Sequence, residues 1–199
     1  MSNLTDFFPA AAGGGGFTKS LKYSTARAIN GDFTNAASYT VNPANDLGLA
    51  DGASIGYFLV GGGGSGNNQT GSSGNGGRGG KIIYGIATIV DASIDLVLTI
   101  GVGATTANGI GSDSTITGGL TISTSDGGQF GGPTYYSSAY SVPAPGINGY
   151  GAGGKAPRNQ QYWPEGSEMH GYGTGAGPYN SNTGEPPKEG ADGAIILNF

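Results

Sequence analysis

Residues 55–66 read IGYFLVGGGGSG, an apolar, strand-like run that breaks directly into glycine. Glycine gives up more backbone freedom on folding than any other residue. The 43 glycines among 199 residues therefore either stay loose or are held by something other than side-chain packing. Gly and the 10 prolines make just over a quarter of the chain, the edge of the low-complexity range. Charged residues, however, are only 11% and hydrophobic residues 36%. Disordered chains are usually poor in apolar residues and rich in charge, so a folded chain of unusual composition is expected. Its length suits one domain with a short appendage.

Charge and composition remove several function classes. A net charge of −5 leaves no Lys/Arg footprint for phosphate contacts, so nucleic acid is not an expected partner. No apolar run approaches the 18 residues or more of a membrane span. The start, MSNLTDFFPAAAGGGG, carries Asp6 where a signal peptide has positive charge and lacks a long apolar core. A standard secretory signal is not expected, and a virion component released by lysis needs none. Cysteine is absent, so there is no disulfide framework.

Residues 1–16 form a first region, read as a docking peptide and tether with Leu4, Phe7 and Phe8 as its sticky side chains. A frayed terminus is the bland alternative. Residues 17–199 form the domain. SYTVNP, ASIGYFLV, KIIYGIATIV, DLVLTIGVG, STITGGLTIST and the closing GAIILNF are rich in Ile, Val, Thr and Tyr and bounded by Gly, Asn, Asp and Pro, as strands are. No stretch shows a capped 3.6-residue stripe, KSLKYSTARAI coming nearest. Glycine-rich insertions at 61–80 and about 126–193 separate the strands. Short strands with long loops gathered at one end predict an all-β sandwich of jelly-roll type.

Three readings of the glycines compete. Gly61, Gly63 and Gly66 satisfy G-x-G-x-x-G after a strand, but a dinucleotide site needs a following helix. NNQTGSSGNGGRGG cannot start one. The P-loop pattern fails too, with Asn75 in place of its first glycine and Ile82 after Gly80-Lys81. A flexible linker is the second reading. The third follows from Gly71, Gly74, Gly77 and Gly80, which recur every third residue. Three residues per turn is the polyproline II period, and glycine at every third position lets such helices pack backbone to backbone. An ordered lattice and a loose loop both remain open at this point.

The stretches YFLVGGGGSG, GGRGGKIIYGIATI, LVLTIGVGATTANGIGSDSTI and GADGAIILNF together resemble the glycine-rich domain of bacteriophage tail fibre and virion structural proteins. Its pattern is strand, glycine tract, strand, a TIGxGG strand end, a Gly-Asp-Ser strand start, glycine loops and a terminal DGxV/I strand. The likeness covers about residues 53–199, and LTDFFPAAAGGGG is similar to the N-termini of some marine phage fibre proteins. TIGVGATT carries fewer glycines than is typical. A similar core occurs in an animal receptor kinase, so fold alone does not settle function. The resemblance implies a jelly-roll-like sandwich with polyglycine II loops, a role in virion architecture or host attachment, and a homotrimer by analogy with fibres.

Catalytic signals are thin. His170 is the only histidine and there is no cysteine, so a thiol nucleophile and a His/Cys zinc cluster are excluded, and no cofactor is expected. Glu165 and Glu168 beside His170 could bind a metal, pair for glycoside cleavage or form a solvated turn. Asp91 and Asp95 flank a turn that they cap or solvate. Aromatic residues carry more information. Tyr135, Tyr136, Tyr140, Tyr150, Tyr162, Tyr172 and Tyr179 are seven of the eleven tyrosines, and with Trp163 they fall in the second insertion among Gly, Pro, Asn and Ser. That mixture is the composition of antibody binding loops, while structural cover for the glycines is the competing reading. The expected function is a non-enzymatic virion protein. Its N-terminus would engage other virion proteins and its Tyr/Trp loops a bacterial surface glycan or protein. A decorating protein that binds only virion partners and a polysaccharide-cleaving enzyme are the alternatives.

Overall fold

The computed structural model describes residues 17–24, 38–65, 77–106, 109–120, 122–124, 172–173 and 189–199. Eight strands carry these residues, in chain order β1 (Ser20–Ser24), β2 (Ser38–Val41), β3 (Ser54–Val60), β4 (Ile82–Thr88), β5 (Leu96–Thr99), β6 (Thr115–Gly118), β7 (Ile122–Ser123) and β8 (Ala194–Asn198). They form two four-stranded sheets, ordered β1-β8-β3-β4 and β2-β5-β6-β7, and every pairing is antiparallel. The described residues are all-β, as the sequence predicts.

The sheets face each other across one core. Ile55, Leu59, Ile195 and Leu197 of the first sheet meet Val41, Leu96, Leu98 and Ile116 of the second. At about 1.5–3 kcal/mol for each fully buried large aliphatic side chain, this layer is the main source of stability. Two-residue alternation places Phe58, Val60 and Ile196 on the opposite face of the first sheet, where they are buried beside Phe17 and Ile82. The central strands β3 and β8 are thus covered on both sides. This explains why IGYFLV and AIILN read as nearly continuous apolar runs rather than as alternating ones.

Register fixes the polarity of the sandwich. Val60 pairs with both Ile82 and Ala194, so the glycine stretches after β3, before β4 and before β8 leave the first sheet at one end. Thr99 pairs with Thr115, and the stretches after β5 and before β6 leave the second sheet together. The Gly62 amide donates to the Ser112 carbonyl at 2.9 Å, which brings both groups to the same end. At the other end, the Thr18 and Lys19 amides donate to the Phe199 carbonyl at 3.0 and 2.9 Å. Residue 17 therefore enters the fold at the end away from the glycines, about 15 Å distant along β8 at ~3.3 Å per residue.

Candidate functional site

At the glycine end the strands run on as a bundle of extended segments with residues 61–65 at its centre, all five of them buried. Each amide of this segment finds a carbonyl on a neighbour. Gly61 donates to Lys81, Gly62 to Ser112, Gly63 to Ala191, Gly64 to Arg78 and Ser65 to Gly109, at 2.8 to 3.3 Å. The neighbour changes at every residue and returns after three: Gly61 and Gly64 donate to the segment before β4, Gly62 and Ser65 to the segment before β6. The acceptors step by three as well, from Lys81 to Arg78 and from Ser112 to Gly109. A three-residue period is that of a polyproline II backbone, which makes no hydrogen bonds within itself and so must find its partners laterally. A fourth neighbour follows β5: Ala104 donates to Gly63 and accepts from Gly190, both at 2.9 Å.

Backbones this close leave no room for a Cβ. One built on Gly77 would lie 1.9 Å from the Gly64 carbonyl oxygen, and one on Gly80 2.0 Å from that of Gly61. These two glycines of the every-third series face the central segment, while Arg78 and Lys81 between and after them are exposed. Gly71 and Gly74 lie outside the described residues.

Side chains close the joints between lattice and sheets. Ser114 is fully buried. Its hydroxyl donates to the Val60 carbonyl at 2.5 Å and accepts the Gly101 amide at 2.9 Å, and its own amide donates to Thr124 Oγ1 at 3.0 Å. Asp192, also buried, accepts the Gly103 amide on Oδ1 at 2.8 Å. Ser65 Oγ bonds the Thr106 carbonyl and accepts the Gly109 amide. The sequence showed Ser114 and Asp192 only as letters of the Gly-Asp-Ser and DGxI patterns. Their one visible signal was a small polar residue set between glycine and an apolar strand.

The arrangement also disposes of the dinucleotide-binding reading of Gly61 and Gly63. The Gly61 to Gly64 amides that would have to point at an anion are all engaged by carbonyls. Among the described residues no group of His, Cys, Asp or Glu could hold a metal ion.

Of the aromatic set, Tyr172 is described. It stands half-buried in a turn with Gly173, whose carbonyl accepts the Gly80 amide at 2.6 Å and whose amide donates to the Asp192 carbonyl at 2.7 Å. The Lys22 ammonium of β1 sits 4.8 Å from the Tyr172 ring centroid, within cation–π range. Burial pushes the Tyr172 hydroxyl up. Hydrogen bonds with Ser24 and Lys22, together with the Lys22 charge, outweigh it and hold the hydroxyl below the ordinary tyrosine value. Tyr135, Tyr136, Tyr140, Tyr150, Tyr162, Trp163 and Tyr179 lie outside the described residues, as do Leu4, Phe7, Phe8, Glu165, Glu168 and His170.

Both insertions are held at their roots. The first leaves after Ser65 and returns at Gly77. The second leaves after Thr124, whose amide donates to Ser114 at 3.0 Å, and returns before Gly190, whose amide donates to Ala104. No protein-family model matches the chain, and no curated protein is similar enough in sequence to count as a relative.

Proposed function

We propose that this chain is a bacteriophage virion protein, a tail fibre or adhesin component that attaches the particle to its host. One observation carries the reading: residue 17 enters the sandwich at one end, and both roots of the Tyr/Trp-rich insertion are fixed in the glycine lattice at the other. A chain anchored through residues 1–16 would present its aromatic loops outward from a rigid platform, as binding loops are presented on other sandwiches. Rigid aromatics among Ser, Gly and Asn suit a glycan or protein surface. Weak sites repeated over a particle gain orders of magnitude in avidity. The resemblance to glycine-rich phage proteins supports the same reading.

The decorating or structural role within the virion is the second reading. It is favoured by the packing of Tyr172 on Lys22, since a ring held that way serves as cover. Two measurements separate them. Gold-labelled antibody on intact particles marks tail or fibre tips for an adhesin, and the head or an internal tube for a structural protein. Ala at Tyr162 and Trp163 lowers host adsorption at least tenfold under the first reading and leaves it unchanged under the second. Particles that carry no label at all would sink both.

A further inference from the structure

Strand β4 is an outer edge of its sheet, with β3 on one side and no described strand beyond it. The Lys81 carbonyl accepts the Gly61 amide, the Ile89 amide donates to Ala53, and the Ile89 carbonyl accepts from Gly52. Odd-numbered residues thus turn their backbone groups to β3. By the alternation of an antiparallel ladder, the amides and carbonyls of Ile82, Tyr84, Ile86 and Thr88 face the open edge. Natural edges are guarded by Lys, Pro, bulges or short length. The opposite edge has Lys22 in β1 and Lys19 just before it. From residue 82 to 90 the sequence is IIYGIATIV, nine residues without charge or proline. On its outer side Tyr84 is 51% exposed, Ile86 41% and Val90 76%.

We propose that β4 is the interface of a twofold homodimer, pairing antiparallel with β4 of a second copy about an axis at Ile86. In that register Ile86 faces Ile86 and Tyr84 faces Thr88 within the ladder, and Ile82 comes beside Val90, two residues past the end of β4. Charge selects this register. It brings Lys81, just before β4, beside Asp91 of the other copy, in the turn after β4 where its carboxylate accepts the Ser93 amide at 2.9 Å and hydroxyl at 2.6 Å; these are the first charged residues on either side of the apolar run. An isologous contact of this kind is self-complementary and closes at two copies. A shift of the axis by one residue would place both charges opposite neutral side chains. The pairing is independent of the function proposed above. It replaces the threefold assembly that the resemblance to fibre proteins suggests.

Sedimentation velocity and light scattering over a concentration series test it on the full chain. The expected mass rises from 19.6 kDa to twice that value. Ile86→Lys, at an exposed position, weakens association at least tenfold while the circular dichroism spectrum and melting temperature hold. Lys81→Glu and Asp91→Lys each weaken self-association about tenfold, and an equimolar mixture of the two restores a dimer, since each variant then offers the charge that the other lacks. A monomer at all concentrations, a mass three times that of the chain, or a dimer indifferent to Ile86→Lys would overturn the proposal. Failure of the mixture to restore association would overturn the register.

Discussion

Asp192 Oδ1 accepts the Gly103 amide at 2.8 Å, tying together residues 89 positions apart in sequence. Gly103 lies in the segment that follows β5, and Asp192 lies just before β8, so this bond joins the two sheets at the glycine end. Removing the acceptor leaves a buried amide without a partner, and hydrogen bonds to charged groups contribute about 1.5–3 kcal/mol. Asp192→Ala is expected to destabilise the fold by about 2–3 kcal/mol in urea unfolding. Asp192→Asn, which keeps an acceptor oxygen, is expected to cost roughly half as much.

Close backbone contact predicts a different pattern for glycine substitutions. Gly80→Ala drives a Cβ to 2.0 Å from a carbonyl oxygen that cannot rotate away. It is expected to cost about 3 kcal/mol, the upper part of the overpacking range. Gly52 has open space around it but a φ of +80°, so Gly52→Ala carries only the left-handed penalty of about 1–2 kcal/mol. Thermal or urea unfolding of the two variants checks the order. Equal costs would mean that the lattice yields to a methyl group.

Much of this was legible in the sequence, and the remainder was not, for physical reasons. Strands announced themselves because β3, β5 and β8 are apolar on buried faces, and the insertions at 61–80 and 126–193 abut β3, β4 and β8 as drawn from the glycine boundaries. STITGGLTIST reads as one strand but is split into β6 and β7 by a turn at Gly118, whose φ is +102°. The spacing of Gly77 and Gly80 indicated a three-residue period. It could not indicate which segments would bond to which, because the donors of residues 61–65 reach carbonyls up to 128 positions away, and glycine carries no side-chain pattern by which such a partner could be read. Ser114 and Asp192 were hidden for a similar reason, since small polar residues near glycine usually mark solvated turns.

Asn198 illustrates a local conflict. Its amide is fully buried on the side of the first sheet away from the core, and neither polar atom has a hydrogen-bond partner among the described residues. An unsatisfied buried group costs about 1–3 kcal/mol, while an apolar residue of the same shape avoids that cost. Asn198→Leu is expected to raise stability by about 1–2 kcal/mol. A loss of similar size would show that the amide is satisfied in solution.

Alkaline titration separates two tyrosines. Burial, then the nearby charge of Asp46, raise the Tyr23 hydroxyl above its ordinary value of 10.0, whereas Tyr172 lies below it. Tyr23 favours the neutral form in the fold, so its contribution is intact below pH 10.0 and declines as pH rises toward its folded value. Tyr172 favours the ionised form, so its contribution grows as pH rises through its folded value and is complete above the unfolded one. NMR titration with ring-labelled tyrosine should find Tyr172 ionising before Tyr23. Lys22→Met should move Tyr172 upward and leave Tyr23 in place. The reverse order in the parent protein would remove Lys22 and Ser24 as partners of Tyr172.

Amide hydrogen exchange at Gly61, Gly62, Gly63 and Gly64 tests the glycine lattice most directly, because these four donors define its three-residue alternation. Each amide is expected to exchange as slowly as those of Leu59 and Ile196 in the adjoining strands, opening only with the whole fold. Exchange at the rate of an open loop would contradict the lattice, and with it the rigid platform proposed to carry the aromatic insertion.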